Sequence, residues 1–305
     1  MQFQMQAGVR ARAAVQLATV ALIGWLATGA AQATENGLTS AAAGAEGFTA
    51  GALPPPGSYG LVYLNHYQST RFNNGAGDSA VPGFKVTADA VVGRFVQVLP
   101  TQVLGGNLGW HVIVPLARVK LSAAGNSDSR SGVGDIEAGP FVAWHTPTFH
   151  YVAALDVVLP TGAYDKNRGV NLGHHYTTWR PIVGFSYLTP QLDVSAKITY
   201  SINGRNGDTD YRSGQYLHAD WNLGFHVAPG WQLGLQGSLI HQTTDDQAGG
   251  ATVADGVRTK VMAFGPAVRY QSPAGWSLEA RVLKESGARW HTQGTAAWLK
   301  AVFAF

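Results

Sequence analysis

Of 305 residues only 13% are charged, about half the roughly 25% usual in soluble domains. There is no cysteine, which excludes a disulfide framework, thiolate metal sites and a cysteine nucleophile. Removing Arg10 and Arg12, which belong to a leader, from the 21 basic residues leaves 19 against 18 acidic ones, too even a balance for the clustered basic face of a nucleic-acid binder.

Residues 1–33 read as a cleaved secretory signal. Arg10 and Arg12 supply its positive region, Leu17 to Ala27 its apolar stretch, and Ala31-Gln32-Ala33 its small-x-small cleavage site. The apolar stretch falls short of the ~20 residues that a spanning helix needs. After Thr34 no apolar run is long enough to cross a bilayer as a helix, so a membrane-resident mature chain must cross as a closed barrel, which pairs every backbone group in lipid. Residues 34–57 are rich in Ala and Gly, show no strand period and end in Pro54-Pro55-Pro56-Gly57. They form an irregular arm, with two fates open: a plug in the barrel mouth or a disordered tail.

From residue 58 to Phe305 short strands alternate with two kinds of connection. Tight, proline-bearing turns fall at Leu99-Pro100-Thr101-Gln102, Thr146-Pro147-Thr148, Thr189-Pro190-Gln191, Ala228-Pro229-Gly230 and Ser272-Pro273-Ala274-Gly275. Longer polar loops fall at 70–82, 122–133, 161–174, 204–212, 244–256 and 286–292. This sorting of turns and loops predicts an all-β fold: a closed antiparallel transmembrane β-barrel of about twelve strands with short periplasmic turns and longer extracellular loops. Alternation is cleanest in residues 192–203, where Leu192, Val194, Ala196, Ile198, Tyr200 and Ile202 oppose Asp193, Ser195, Lys197, Thr199, Ser201 and Asn203. It recurs in 213–227 and 276–285. It is poor near 84–98 and 257–271, where Gly93-Arg94 and Gly265-Pro266 suggest bulges that flip the phase.

Alternation alone does not distinguish a soluble sandwich from a barrel. Aromatic residues at strand ends (Tyr187, Trp231, Tyr270, Trp276) suit an interfacial girdle. Ionised groups of both signs on the polar faces suit a wet lumen. Leu299, Ala301, Phe303 and Phe305 form the apolar face of a final strand ending in an aromatic residue, resembling the signal read by the outer-membrane insertion machinery.

Ordered motifs then carry a family resemblance. Gly132-Val133-Gly134-Asp135, Leu159-Pro160-Thr161-Gly162-Ala163-Tyr164-Asp165, Asp208-Thr209-Asp210-Tyr211-Arg212-Ser213-Gly214, His241-Gln242-Thr243-Thr244-Asp245-Asp246 and Phe264-Gly265-Pro266 with Tyr270 resemble, in that order, the MetA-pathway of phenol degradation family. The resemblance spans nearly the whole mature chain. It implies an outer-membrane channel associated with uptake of aromatic and lipid-like compounds, and it supplies no catalytic residues.

No enzyme, cofactor or metal site stands out. His174-His175 would point to opposite faces of a strand, a poor chelate. The acidic loops Asp208-Thr209-Asp210 and Asp245-Asp246 read as solvated extracellular loops facing lipopolysaccharide rather than as calcium sites. Ser201 and His218 lie on neighbouring strands, but no surrounding motif marks them as a catalytic pair. Gly105-Gly106 and Gly249-Gly250 lack the helix and lysine of a phosphate loop. Twelve strands lie between the roughly eight of a filled barrel and the ~16–18 of an open pore, so inward side chains should narrow the lumen. Asp156, Arg180, Asp193, Lys197, Asp220, Glu279, Arg281 and Lys300 are the pore-lining candidates, steering small solutes by charge or simply bracing the wall. The function expected is passive uptake of small hydrophobic or aromatic solutes; the alternative is a non-conducting structural or adhesive barrel that acts through its loops. The partners expected are outer-membrane lipid and lipopolysaccharide, the insertion machinery and the solute.

Overall fold

The computed structural model describes residues 39–305; the leader read at 1–33 and the start of the arm lie outside the described residues. The strands are β1 Gly57–Asn73, β2 Lys85–Val103, β3 Gly106–Ala123, β4 Asn126–Val133, β5 Ile136–His145, β6 Phe149–Leu159, β7 Thr178–Leu188 and β8 Leu192–Asn203, followed by β9 Tyr211–Arg212, β10 Tyr216–Ala228, β11 Trp231–Gln242, β12 Gln247–Ala248, β13 Ala251–Thr252, β14 Lys260–Gln271, β15 Ser277–Arg289 and β16 His291–Ala304. Twelve of them, β1, β2, β3, β5, β6, β7, β8, β10, β11, β14, β15 and β16, pair antiparallel in that order, and β16 returns to β1 to close the barrel. Strand β4 continues the line of β5 along the outer half of β3, interrupted at Gly134-Asp135. The short strands β9, β12 and β13 form a separate three-stranded sheet in the loops.

The side chains are sorted as in a membrane barrel. Outward Leu155, Val183 and Phe264 are 48%, 55% and 53% exposed, while inward Asp156 and Asp193 are fully buried. Hydrophobic residues thus face lipid and ionised ones face the interior. A girdle rings the short-turn end: Trp231 packs on Tyr270 at 4.9 Å, Tyr270 on Trp276 at 5.5 Å, and Phe149 on Tyr187 at 4.9 Å.

Four local expectations need correction. Leu99-Pro100-Thr101 is part of β2, looped out where the β2–β3 register shifts between Val98 and Gln102. A bulge tolerates the missing proline N–H, and the turn itself is made by Leu104 and Gly105, at φ 52° and 77°, the paired left-handed residues that a two-residue hairpin favours. Residues 122–133 are likewise a hairpin, not a loop, turning at Ala124 and Gly125 with φ 49° and 83°. The connection read at 286–292 tightens to Trp290 alone between β15 and β16. The loop side therefore carries two tight turns among its longer loops. The bulges suggested at Gly93-Arg94 and Gly265-Pro266 are absent, since register runs unbroken through both. Alternation fades there because the inward faces are themselves apolar: Val96 and Val98 on β2, Val261, Ala263 and Ala267 on β14.

Candidate functional site

Residues 39–56 enter the lumen. A segment with no strand partner must still satisfy its backbone N–H groups, and each one buried without an acceptor costs about 1–3 kcal/mol. Lumen side chains supply the acceptors. Gly44 and Glu46 N–H donate to the two carboxylate oxygens of Asp220 at 2.8 and 3.0 Å. Thr49 N–H donates to Asp193 at 3.0 Å and Gly51 N–H to the Ser186 hydroxyl at 2.9 Å. Arg281 donates to the Ala45 carbonyl.

Two side chains of the arm complete the anchorage. Glu46 accepts from Arg94 on β2 at 2.8 Å, from Lys300 on β16 at 2.7 Å and from Tyr63 on β1 at 3.3 Å. Phe48, 1% exposed, lies on paired glycines of β10 and β11: a Cβ at Gly224 would come within 2.5 Å of its ring, and one at Gly234 within 3.0 Å. Gly51 rests directly on the β7 backbone, where a Cβ would meet Phe185 main-chain atoms at 2.3 Å. Small apolar clusters hold both ends, Ala41 and Ala43 against Tyr216 and Ile240, Leu53 against Val96 and Phe141.

All eight charges named from the sequence lie on the inward face, but most are engaged. Asp220 and Asp193 hold the arm. Asp220 also accepts from His218 at 2.8 Å, and Asp193 from the Ser195 hydroxyl at 2.5 Å. Glu279 pairs with Arg281 and accepts from Gln236 at 2.9 Å. Arg180 pairs with Glu137 and donates to Ser40 of the arm at 2.5 Å. Asp156 meets His111 at 2.8 Å across the β5 position occupied by Gly139, where a Cβ would strike Asp156 at 2.2 Å. Lys300 is bound to Glu46. Lys197 makes no ion pair among the described residues.

Sequence reasoning missed Glu46, Arg94, Glu137 and Arg269. Glu46 is the single charged residue of the described arm and Phe48 its single aromatic; each was a signal inside an Ala/Gly-rich stretch. Arg94 would have followed from carrying strict alternation through β2.

The arm divides the lumen. A cavity of about 360 Å³ opens on the short-turn side, lined by apolar residues including Val96, Phe141 and Ile182 and by charged ones including Lys197, Arg269, Glu46 and Glu279. A second, of about 220 Å³, lies toward the long loops. Glu46 and Lys197 line both.

On the loop side the family motifs meet in pairs. Asp135 accepts from Gly162 N–H at 2.9 Å and from the backbone and ring of His174 at 2.8 and 2.7 Å. Asp246 accepts from the Tyr211 hydroxyl at 2.5 Å and from Gly214 N–H at 2.6 Å. His174 and His175 diverge, the latter stacked on Tyr164 at 4.8 Å. Asp210 pairs with Arg205 and Asp245 with Arg258. Ser201 accepts from Arg180 and His218 pairs with Asp220, so the two are not brought together as a catalytic pair.

The fold matches that of an outer-membrane channel from Pseudomonas putida F1, with a TM-score of 0.74 at 19% identity over 83% of this chain and 97% of that one. More distant likenesses include the TodX monoaromatic hydrocarbon channel (TM-score 0.48, 12% identity, 90% and 94% covered) and a FadL homologue of Pseudomonas aeruginosa (0.46, 10%, 91% and 98%). No curated protein sequence matches the chain. Residues 69–301 match the model of the putative MetA-pathway of phenol degradation family, and the chain belongs to that family.

Proposed function

We propose that this chain is an outer-membrane channel for passive uptake of small hydrophobic or aromatic solutes, with the arm as its internal obstruction. The observation that carries this reading is the pair of cavities stacked along the lumen and separated by a segment held through non-covalent contacts alone. Cavities of roughly 300–1,000 Å³ suit small-molecule ligands, and the larger one falls in that range. Passage requires the arm to shift, and every bond that holds it is reversible. On the same reading the leader is cut near Ala33 on export, and lipid and lipopolysaccharide surround the wall. The final strand ending at Phe305 then addresses the insertion machinery.

The density of arm contacts favours a second reading, a non-conducting barrel that acts through its loops. Flux of a one-ring solute into liposomes carrying the mature protein separates the two. Flux above empty liposomes supports the channel. No flux from properly inserted protein, together with loss of function on loop deletion but not with Asp193→Asn, supports the scaffold.

A further inference from the structure

We propose that the short-turn-side cavity is a binding site for a small amphipathic anion, a one-ring aromatic carboxylate, with its charge at Lys197 and Arg269 and its ring on the apolar wall. This rests on the channel reading and names the solute class for it.

Charge accounting in the lumen leads there. Arg94 and Lys300 share Glu46, Arg180 has Glu137, and Arg281 has Glu279. Lys197 and Arg269 line the cavity and make no ion pair among the described residues. Arg269 is nonetheless held in place, because it donates to the amide oxygens of Gln232 at 3.1 Å and Gln271 at 2.7 Å. Those neutral acceptors fix the guanidinium without pairing it, and Glu279, across from it on β15, is already bonded to Arg281 and Gln236. A ligand carboxylate would give Arg269 the ion pair it lacks, since guanidinium and carboxylate form the strong, charge-assisted kind of hydrogen bond.

The apolar part of the lining excludes a bare inorganic anion as the best fit. Val96, Phe141, Val152 and Ile182 face the same space and reward an apolar body at roughly 25 cal/mol per Å² removed from water. About 360 Å³ exceeds the roughly 150 Å³ that accommodates benzene in an engineered apolar cavity. Lys197 also lines the loop-side cavity, so an anion arriving there already faces the cation that it meets below.

The test uses the mature chain in lipid nanodiscs, titrated with benzoate and with benzyl alcohol, its neutral counterpart of similar size. Benzoate should bind about tenfold tighter, the return of one charge-assisted hydrogen bond, and the preference should fall within about twofold in the K197M/R269M variant and survive in K197R/R269K. Equal binding of the two compounds to the native barrel, or a preference that survives the double methionine variant, overturns the proposal. In the native barrel benzoate, but not benzyl alcohol, should also slow acylation of Lys197 by an amine-reactive reagent. Absence of that protection overturns the proposal even if the variants fail to insert. Liposome flux keeps the two readings apart. Benzoate binding without flux of either compound leaves the site standing and sinks the channel, whereas flux of both compounds alike keeps the channel and sinks the site.

Discussion

The barrel wall and the arm inside it are built on opposite principles. Each wall strand is hydrogen-bonded to neighbours on both sides over a long run of residues, as β8 is to β7 and β10, so no single side chain decides its place. The arm has no ladder. Its place depends on its own Glu46 and Phe48 and on a few long-range donors and acceptors drawn from several strands. Substitution should therefore move the arm long before it moves the wall, and conductance should respond where overall fold does not.

Removing residues 40–52 should have the largest effect. The twelve-strand wall should still insert, shown by heat-modifiable migration on gels, while single-channel conductance rises by about fivefold or more, as expected when a barrel of this strand number loses its filling. Unchanged conductance would mean that wall side chains, not the arm, close the lumen. Glu46→Gln comes next. It leaves Arg94 and Lys300 without their carboxylate, and breaking such a buried pair costs on the order of 3 kcal/mol, less what lumen water recovers. The open fraction in planar bilayers should rise while the wall's unfolding midpoint holds.

Gly224→Val tests the slot beneath Phe48. The added atoms collide with the ring, and overpacking costs typically about 1–3 kcal/mol, again as a higher open fraction. Leu155→Arg is the wall's counterpart: mid-strand on β6, lipid-facing and 48% exposed, it should cost about 2–4 kcal/mol in the free energy of unfolding from lipid vesicles. It should leave arm and conductance alone. Equal gating effects from Gly224→Val and Leu155→Arg would break the distinction between the two regions.

The same division explains what could be read in advance. The wall announced itself in residues 192–203 because lipid outside and water inside demand opposite side chains at alternate positions. Strand β2 hid its phase because Val96 and Val98 face inward toward Leu53 of the arm, so beyond Arg94 its inward face is apolar too. Inward charges were legible one by one as polar-face residues. Their partners were not: Asp220 binds Gly44 across 176 positions and Lys300 binds Glu46 across 254. No local pattern encodes a contact at that separation. The arm itself has no period, so its fate could not be chosen between plug and tail until the lumen was seen to offer acceptors for its N–H groups.

The smallest expected effect lies outside the membrane, where two carboxylates, Asp128 on β4 and Asp246 in a loop, should respond to acid in opposite ways. Arg168 beside Asp128, with help from Val170 and Ser129 N–H, holds that carboxyl at about 2 against an ordinary 3.8. A lowered value means that the folded hairpin favours the ionised form. Its contribution is complete above the ordinary value and lost as pH falls through about 2. Burial raises Asp246, outweighing the Tyr211, Gly214 and Gln242 donors. The protonated form is then the one favoured by folding, so its contribution is complete below the ordinary value and declines as pH climbs through the raised one. Amide hydrogen exchange in nanodiscs reads both, corrected for intrinsic rates. Protection at Val170, which donates to Asp128, should drop on acidification toward pH about 2, while protection at Gly214, which donates to Asp246, should hold or rise. Parallel loss at both amides would show that the loops open as one unit, braced by the β9, β12 and β13 sheet rather than by the two carboxylates separately.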